Sequence, residues 1–586
     1  MHIKKIGIKN IFSYQDVMFD FDKYNVIVGA NNSGKTNLIR VLDMISNNDD
    51  FTYFILHKNL KFEKTAPSEI SLTLEFTDKE IKMILQSMFS HQINQTEFSD
   101  EVKTMDVLIF WSDVIKDEPY PNLVIYKLHS GLTIVSAENQ NMVFDSSHLF
   151  GNEDRYQKAI DLHKHFAWNS FVNKFSKSYA ITGDDSIGRR PEFFEACARN
   201  ESLGSFLHKD RNVSTIIPFS VTFKNSQPTV EGSEVVEFLS LKKDSSHTIS
   251  LSNLVNKIIR MNYVKIQEIH PPYNQLRDRL AELRDVYPTD YKELQDVFEE
   301  LTNGIKINVV RKTPQNEISK EEWVLLTDGD RVFSLQESAS GHYALIHILH
   351  SILNKPNQMI IIDEPEVHFH PILITQVNES LNKLALERNN QIIIISHSPK
   401  FVNFDLIDSA EYSRLISVIR TKDFSEVSSS SPSFQPVLKR HLFNPDVFFG
   451  KCSMIVEGSD DYFAMKAISD YFNGLFEKYN ITLTHCWGLG NVPAMIEIHN
   501  EFKIPFLAMV DSDYAGNMDN VVKLPQRLEE EYQKLGWSGS KVKDHAYPFM
   551  EELLKNGGLD KLKQTTLWPV FVQIIKQVDG DIPKIE

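Results

Sequence analysis

Two groups of residues near opposite ends of this 586-residue chain have types and spacings suited to nucleotide chemistry. Near the N-terminus, residues 29–36 read GANNSGKT, which fits the pattern GxxxxGK[ST]. Near the C-terminus, Glu457 and Asp461 are followed further along by Asp511 and Asp513. The first pattern is typical of loops that bind nucleoside triphosphates, and the second is a set of carboxylates that suits divalent metal ions.

The phosphate-binding pattern has a physical basis in its glycines, its lysine and its hydroxyl. Glycines allow backbone N–H groups and a helix N-terminus to surround the phosphates, while Lys35 reaches the outer phosphates and Thr36 binds Mg²⁺. The pattern follows an apolar strand at 24–28 and opens a predicted helix, which is the context it needs. The predicted nucleotide contacts in this loop are Gly29, Asn31, Asn32, Ser33, Gly34, Lys35, Thr36 and Asn37.

Two later apolar strands end in residues that complement such a loop. The strand 360–362 leads into Asp363 and Glu364, so its carboxyl edge is expected to place Asp363 at the Mg²⁺ and Glu364 against the attacking water. The strand 392–395 leads to His397, which is predicted to sense the γ-phosphate from the same edge. These three residues are the predicted partners of the phosphate loop.

Two other assignments of residues in this region are weaker. His368 and His370 have the spacing of zinc ligands, yet no third ligand or cysteine is near them in sequence. Ser396 and His397 do not form a hydrolase dyad, because adjacent residues on a strand point to opposite faces.

The C-terminal acids also follow predicted strands. Glu457 ends one apolar strand, and Asp461 lies at the start of a helix, where N-capping is an alternative role. Asp511 and Asp513 alternate by two after the strand 506–510, so both carboxylates are expected on one side of the strand's end. Together these acids are suited to two cations that stabilise the attacking and leaving oxygens of a phosphodiester.

The elements that position these residues divide the chain into several segments. Apolar residues at helical spacing between Leu276 and Leu301 predict a helical hairpin, used either for dimer contact or for packing on its own domain. The N-terminal sheet is expected to resume from about residue 305. The serine-rich stretch 425–433 is predicted to be a linker, because such a composition does not pack a core.

Charge and cysteine content limit the class of protein. The net charge of −17 argues against a generally basic surface, so nucleic acid would need local patches or metal ions. Three scattered cysteines make neither a disulfide framework nor a zinc site. The apolar runs have the length of buried strands rather than membrane spans, and the chain opens on an alternating strand, so a cytoplasmic protein is expected. The basic patches to consider are Arg189-Arg190, Lys242-Lys243 and Lys439-Arg440-His441.

The segments DEPEVHFHP from Asp363 and ISHSP around His397 resemble the Walker B and switch-histidine segments of ABC/SMC-type ATPases. The variant is the one shared by RecF-like proteins and OLD (overcoming lysogenization defect) nucleases. The long insertion between the phosphate loop and Walker B also resembles this class. In that family a signature loop completes the ATP site of the opposing subunit. The matching nucleotide contacts here are Ser340 and Gly341, while Ala339 stands where the family has serine.

The C-terminal pattern of Glu457-Gly458 and Asp511-Ser512-Asp513 resembles the Toprim domain of topoisomerases, primases and OLD-family nucleases. In the OLD family, Glu457 and Asp461 would serve one part of the metal site, and the Asp511–Asp513 pair the other. A further ligand is expected downstream, with Glu551, Glu552 and Lys555 as open alternatives.

The resemblance implies an α/β fold: an ABC-type split ATPase head with a helical insertion, followed by a small parallel α/β Toprim domain. The expected segments are 1–160 for the N-terminal lobe of the head, 161–304 for a mainly helical insertion that includes a dimerisation element, 305–430 for the C-terminal lobe, and 445–586 for the Toprim nuclease domain.

The resemblance also implies an enzyme that is both an ATPase and a metal-dependent DNA endonuclease. Its implied cofactors are ATP and Mg²⁺, with Mn²⁺ as an alternative metal at the nuclease site. Its implied partners are DNA, further copies of itself in a homodimer or higher oligomer, and a defence-system protein or nucleic acid, with no membrane contact. The implied biological role is bacterial defence against phage, with cutting gated by nucleotide or by a partner.

Two alternatives belong to other functional classes. The first is a RecF/SMC-like, ATP-gated DNA-binding or repair protein with a non-catalytic Toprim domain. The second, a topoisomerase or primase, is disfavoured because the chain lacks a cysteine-rich zinc module and has little room for a strand-passage domain.

Overall fold

In a computed structural model, the chain divides into two compact units. One comprises residues 1–21, 37–264 and 357–359, and the other comprises 22–36, 265–356 and 360–586. The structure describes residues 1–46, 68–88, 97, 100–111, 123–128, 133–137, 140–144, 206–209, 214–217, 221–224, 227–230, 240–241, 251–266, 271–312, 321–403, 413–421, 423–430, 444–514, 516, 520–539, 542 and 545–578. The basic patches at 189–190, 242–243 and 439–441 lie outside these residues.

Strands and helices alternate through much of the described chain. The strands are β1 (His2–Ile11), β2 (Tyr14–Asp20), β3 (Tyr24–Val28), β4 (Ser68–Glu75), β5 (Thr104–Trp111), β6 (Leu123–Leu128), β7 (Thr133–Ala137), β8 (Gln140–Phe144), β9 (Phe206–Lys209), β10 (Ser214–Ile217), β11 (Val221–Lys224), β12 (Gln227–Val230), β13 (Ser240–Leu241), β14 (Tyr263–Ile266), β15 (Lys306–Lys312), β16 (Glu321–Asp328), β17 (Arg331–Ser334), β18 (Met359–Asp363), β19 (Gln391–Ile395), β20 (Ser413–Arg420), β21 (Ser425–Ser429), β22 (Cys452–Val456), β23 (Ile481–His485), β24 (Phe506–Val510) and β25 (Val521–Lys523).

The helices are α1 (Lys35–Ser46), α2 (Asp78–Met88), α3 (Asp100–Lys103), α4 (Leu251–Asn262), α5 (Tyr273–Val286), α6 (Pro288–Leu301), α7 (Ser340–Leu353), α8 (Pro371–Glu387), α9 (Ser459–Tyr471), α10 (Leu475–Tyr479), α11 (Val492–Glu501), α12 (Leu528–Lys534), α13 (Ala546–Lys555), α14 (Leu559–Leu562) and α15 (Leu567–Gln577). Short 3-10 helices occupy Leu335–Glu337, Pro365–His368, Pro399–Phe401, Pro445–Phe448 and Leu489–Asn491. None of the helices in the described ranges combines the length and apolar composition of a membrane-crossing segment.

The first unit contains an antiparallel sheet of seven strands in the order β2-β1-β4-β5-β6-β7-β8. Within the segment 161–304, the described residues include the short strands β9 to β13 as well as α4, α5 and α6. How far helix dominates that segment stays a prediction, as do the four segment boundaries.

The phosphate loop follows a strand in the middle of a six-stranded sheet ordered β14-β18-β19-β3-β20-β21. The central strand β3 pairs in parallel with β19 and β20, both of which come from the far side of the insertion. Every residue of β3 and β19 is buried, as expected for parallel strands covered on both faces. The predicted α/β class and split head are therefore confirmed.

The sheet does not resume at residue 305 as predicted. Strands β15, β16 and β17 instead form a separate three-stranded antiparallel sheet, and the main sheet continues only at β18. In β15, Ile307 and Val309 are buried while Lys306 and Asn308 are exposed. Such one-sided burial is typical of an antiparallel strand with one face open to water rather than of a parallel strand covered on both faces.

The predicted helical hairpin is present as α5 and α6, which pack against each other and against β15. Its apolar stripe is buried within the chain, with Leu276, Leu280, Leu294 and Phe298 fully covered. Of the two predicted uses, this stripe serves packing on its own domain.

The predicted serine-rich linker is wrong for residues 425–429, which form the edge strand β21. Its pairing with β20 depends on backbone groups, which any residue other than proline can supply. Ser425 is fully buried, and its hydroxyl donates a hydrogen bond of 2.5 Å to the carbonyl oxygen of Ser33 in the phosphate loop. The rest of the predicted linker, 431–433, lies outside the described residues.

The C-terminal domain is built on a four-stranded parallel sheet ordered β23-β22-β24-β25. Strands β22 and β24 are buried along their whole length, which explains their uninterrupted apolar sequences. Helices α9, α13 and α15 cover one face and form its main apolar core. The small parallel α/β domain predicted from the sequence is confirmed.

Candidate functional site

The phosphate loop connects β3 to α1 and depends on glycine for its shape. Gly29 has φ = 154°, and a Cβ there would overlap the carbonyl oxygen of Val418 on β20. Gly34 has φ = 115°, a region that side chains rarely allow. Thr36 is exposed in the first turn of α1, where its hydroxyl is available to a cation. The loop therefore has the backbone needed to surround a phosphate.

Lys35 is buried, with 3% exposure, and its ammonium group contacts the loop itself. Nζ donates to the carbonyl oxygens of Gly29 at 2.6 Å and Ala30 at 3.0 Å, and it lies 3.5 Å from Nδ1 of His397. Burial lowers the pKa of Lys35 to about 8, while the nearby carboxylate of Glu364 acts in the opposite direction. An anionic phosphate would favour the charged ammonium in the same way.

The acids predicted to accompany the loop lie at the carboxyl edge of the sheet. Asp363 ends β18, and burial followed by the charge of Glu364 raises the pKa of Asp363 to about 6. Glu364 has φ = 50°, and its backbone N–H donates to the Ile395 carbonyl at 2.9 Å. Oε1 of Glu364 lies 3.3 Å from Nε2 of His397. The structure thus brings Lys35, Asp363, Glu364 and His397 to one edge.

Glu366 is a residue of this edge that the sequence analysis missed. Its Oε1 accepts a hydrogen bond of 2.6 Å from the backbone N–H of His397, and burial raises the pKa of Glu366. The carboxylate therefore holds the turn that carries the histidine. The available signal was the third acid of the DEPE sequence, two positions after the predicted water-polarising Glu364.

Ser340 and Gly341, which are predicted to belong to a signature loop, lie in the first turn of α7. Ala339 is the N-cap of this helix and provides no side-chain cap, which a serine could supply. A Cβ on Gly341 would come within 2.8 Å of the His368 carbonyl oxygen, so glycine permits close packing on the segment after Walker B. His370 caps α8, because its Nδ1 accepts a hydrogen bond of 3.4 Å from the Ile372 N–H. This is a structural role, and the sequence evidence for a zinc site at His368 and His370 was weak.

The C-terminal acids gather where β22 and β24 end side by side. Glu457 follows β22, and its Oε2 accepts from the Asp511 backbone N–H at 3.4 Å. Asp461 is 9% exposed in the first turn of α9, where its Oδ2 accepts from the Gly458 N–H at 3.0 Å. Asp461 therefore performs the capping role that the sequence analysis left open, while lying beside the other acids.

The pKa values in this group are raised by burial and by mutual repulsion. Burial, followed by the charge of Asp511, raises the pKa of Asp461 to about 8. Burial, followed by the charge of Glu457, raises that of Asp511 to about 6. The pKa of Glu457 is raised by burial and by the charge of Asp513. Carboxylates that share a site in this way are stabilised by a cation.

Asp511 and Asp513 lie beyond the end of their strand, so the prediction that strand alternation places both carboxylates on one side is wrong. Strand β24 ends at Val510, and residues 511–514 form a turn in which the Tyr514 N–H donates to the Asp511 carbonyl at 3.3 Å. The two-residue alternation of a strand therefore does not apply to Asp511 and Asp513. Asp513 is exposed but close enough for its charge to raise the pKa values of Glu457 and Asp511.

Glu529, in the first turn of α12, is a further acid near this group that was not predicted from the sequence. Its charge raises the pKa values of both Glu457 and Asp511. Among the open downstream alternatives, Glu551 is paired instead with Lys555 at 2.7 Å on α13. No simple spacing in the sequence marks Glu529. We define the carboxylate cluster as Glu457, Asp461, Asp511, Asp513 and Glu529.

The carboxylate cluster fits a hard divalent cation in its donor chemistry. All five side chains offer carboxylate oxygens, which Mg²⁺ and Mn²⁺ prefer. Oδ1 of Asp511 is buried and has no hydrogen-bond partner among the described residues. Within the described ranges no three acidic, histidine or cysteine side chains form a closed metal cage, so a cation would have to draw the carboxylates together.

Comparison with known protein families finds separate matches for the N-terminal and the C-terminal part of the chain. Residues 1–402 match the AAA ATPase domain family, and residues 448–513 match the family described as overcoming lysogenization defect protein-like, TOPRIM domain. The OLD nuclease of Thermus scotoductus is 23% identical over 182 residues, covering 30% of this chain and 33% of the relative. The Old nuclease of Escherichia phage P2 is 28% identical over 199 residues, covering 32% and 33%.

The match thus spans about a third of the length of each nuclease. Among solved structures, the SMC head domain from Thermotoga maritima aligns with 74% of this chain and all of its own, at 12% identity and a TM-score of 0.32. The Smc head domain with an extended coiled coil from Pyrococcus furiosus aligns with a TM-score of 0.34 at 14% identity, covering 74% and 97%. By the family matches, the chain belongs to the AAA ATPase domain family and carries a C-terminal OLD-like Toprim domain.

Proposed function

We propose that this protein is an ATP-hydrolysing, metal-dependent DNA endonuclease of the OLD family that serves in bacterial defence against phage. The observation that carries the proposal is the pairing of two sites in one compact unit. A phosphate loop with its acids and histidine lies where the parallel strands of one sheet end, and the carboxylate cluster lies at the edge of a second sheet.

In the ATPase half, each residue has a role that its position supports. When the nucleotide binds, the Lys35 ammonium group would donate hydrogen bonds to phosphate oxygens instead of to the loop carbonyls. Thr36 and Asp363 would hold the Mg²⁺. Glu364 polarises the attacking water, and His397 lies between Glu364 and Lys35, where it contacts the γ-phosphate. Ser340 and Gly341 would contribute to the nucleotide of an opposing subunit, which makes a homodimer the expected assembly.

In the nuclease half, the carboxylate cluster would hold the metal. Glu457 accepts a hydrogen bond from the backbone of Asp511, and the charges of Glu457, Asp513 and Glu529 all act on Asp511. The charge of Asp511 in turn acts on Asp461. A divalent cation bound there supplies charge stabilisation to the attacking and leaving oxygens of the phosphodiester. The carboxylate cluster by itself repels DNA phosphates, as does the net charge of −17, and a bound cation would offset this repulsion.

Gating of the nuclease by nucleotide is supported by contacts between the two halves. The 3-10 helix Pro399–Phe401, which starts two residues after His397, contacts the 3-10 helix Pro445–Phe448, which leads into β22. Phe448 is buried against Phe502 at the end of α11, with ring centroids 4.9 Å apart. A shift of the His397 turn would therefore be transmitted to the Toprim core through packed side chains.

The proposal is tested by incubating the purified protein with plasmid DNA and Mg²⁺ or Mn²⁺, with and without ATP. Wild-type protein is expected to nick or linearise the plasmid, Asp511→Ala to leave it intact, and Lys35→Ala to lose ATP hydrolysis. Cutting by Asp511→Ala at the wild-type rate would refute the assignment of the nuclease site. Full ATP hydrolysis by Lys35→Ala would refute the assignment of the phosphate loop.

The alternative, a RecF/SMC-like ATP-gated DNA-binding or repair protein, has one observation in its favour. The carboxylates in the described residues do not form a closed metal cage, as a non-catalytic Toprim domain would also allow. The raised pKa values of Asp461 and Asp511 count against it, because a structural domain gains nothing from crowded acids. Wild-type protein that binds DNA but never cuts it, with either metal, would favour this alternative.

A further inference from the structure

A continuous row of aromatic rings borders the carboxylate cluster. Phe463 and Tyr462 meet edge to face with ring centroids 5.6 Å apart, and Tyr462 meets His485 at the same distance. His485 in turn contacts Trp487, with centroids 4.3 Å apart. We call these four residues the aromatic row.

The backbone fixes the aromatic row beside the acids. His485, the last residue of β23, pairs in register with Val456, the residue before Glu457. The N–H of Gly488, next to Trp487, donates to the Glu457 carbonyl at 2.9 Å. On the other side of the row, Tyr462 directly follows Asp461 on α9, and Phe463 follows Tyr462. Each half of the row therefore lies within two residues of a residue that is in the carboxylate cluster or hydrogen bonded to it.

The two ends of the row are unusually open to solvent. Trp487 is 63% exposed and Phe463 is 44% exposed, although large aromatic side chains gain most from burial. Trp487 also has φ = 58°, a left-handed conformation that bulky residues rarely adopt. The fold thus holds an indole ring in water, in a strained conformation, at the edge of the carboxylate cluster.

The chemistry of the aromatic row indicates which kind of ligand it can bind. Phosphates are repelled by the neighbouring acids, whereas a flat uncharged ring surface attracts the face of a nucleobase. Bases inside a duplex are already stacked, so only an unpaired or flipped base reaches such a surface. Stacking does not depend on base identity, because every base has a π face.

We infer that the aromatic row is a stacking platform for an unpaired nucleobase next to the phosphodiester that the carboxylate cluster cuts. This inference rests on the proposed nuclease function and specifies its substrate as DNA with single-stranded character near the cut, read without base preference. The metal-held phosphate and the stacked base together fix the strand at two points.

The test is the binding of fluorescein-labelled dT20 and of a blunt duplex of equal length, measured by fluorescence anisotropy with Ca²⁺ in place of Mg²⁺, so that the carboxylate cluster keeps a cation, and with gel electrophoresis of the probes to check that they stay intact. Trp487→Ala and, independently, Phe463→Ala are expected to weaken dT20 binding roughly five- to a hundredfold, the range of one lost base stack. Trp487→Phe should retain most of the affinity. Tyr287→Ala, which removes an aromatic side chain exposed by 47% in the turn between α5 and α6, is the matched control and should bind as wild type does.

Several outcomes would overturn the inference. These are wild-type protein that does not bind dT20, unchanged dT20 binding by both Trp487→Ala and Phe463→Ala, or an equal loss of dT20 and duplex binding. Unchanged dT20 binding by both variants would favour a protein, rather than a nucleobase, as the ligand of the aromatic row. The nuclease proposal is judged separately, by the loss of plasmid cutting in Asp511→Ala, so failure of one is distinguishable from failure of the other.

Discussion

The hydrogen bond from Ser425 to the phosphate loop gives a sharp test of how β21 supports the ATP site. The Ser425 hydroxyl is fully buried and donates to the Ser33 carbonyl oxygen at 2.5 Å. A neutral hydrogen bond contributes about 1 kcal/mol, and a buried acceptor left without its donor costs roughly 1–3 kcal/mol. Ser425→Ala is therefore expected to destabilise the protein by about 1–3 kcal/mol.

The loss should appear in both stability and nucleotide binding. The apparent thermal midpoint should fall by several degrees, because about 1 kcal/mol corresponds to roughly 2–4 °C in a domain of 150–250 residues. If the bond holds the loop in its binding conformation, ATP affinity measured by calorimetry should weaken roughly five- to tenfold. Ser428→Ala, on the same strand and half-buried, is the control and should stay within about 0.5 kcal/mol of wild type. If Ser425→Ala matched Ser428→Ala in both measurements, the supporting role of β21 would be wrong.

Three further predictions concern the two sites. Gly29→Ala, forced against β20, should lower ATP affinity more than tenfold in a filter-binding assay, whereas Gly329→Ala, with open space around it, should not. Because burial raises the pKa of Asp461 to about 8, this group should make the metal-free protein lose stability as pH rises from about 4 to 8, and the thermal midpoint of Asp461→Asn should fall less steeply; equal slopes would contradict this. Glu529→Gln should slow plasmid cutting at least tenfold, while Glu551→Gln should stay within about twofold.

The direction of the Asp461 prediction follows from proton uptake. An aspartate in an unfolded chain loses its proton near pH 4, whereas the buried group keeps it up to about pH 8. The folded state therefore binds more protons between these values, and its stability falls as the pH rises through them. The amide introduced by Asp461→Asn has no such proton to lose, yet its side-chain oxygen can still accept the Gly458 N–H.

Local sequence patterns were sufficient for the features that depend on neighbouring residues. The phosphate loop, the acids after β18 and the histidine after β19 each follow an apolar run that must be a buried strand, so their common edge was predictable. The C-terminal strands were recognisable for the same reason.

The features that escaped prediction depend on pairing across long separations. The serines of β21 carry no strand signal of their own, and they form a strand because β20 offers a free edge. Glu529 reaches the carboxylate cluster through a turn and a short helix, so no fixed spacing relates it to Asp511. Glu366 was overlooked because its role is a hydrogen bond to the backbone of a distant turn.

At Glu364 the left-handed backbone lowers the stability of the fold, while the side chain is proposed to serve ATP hydrolysis. An L-residue with a side chain pays about 1–2 kcal/mol for φ = 50°, a cost that glycine does not bear. A variant library ranked only by melting temperature should therefore favour glycine at position 364 and remove the carboxylate proposed to polarise water. The most heat-resistant molecules from such a library would be ones that hold ATP without hydrolysing it.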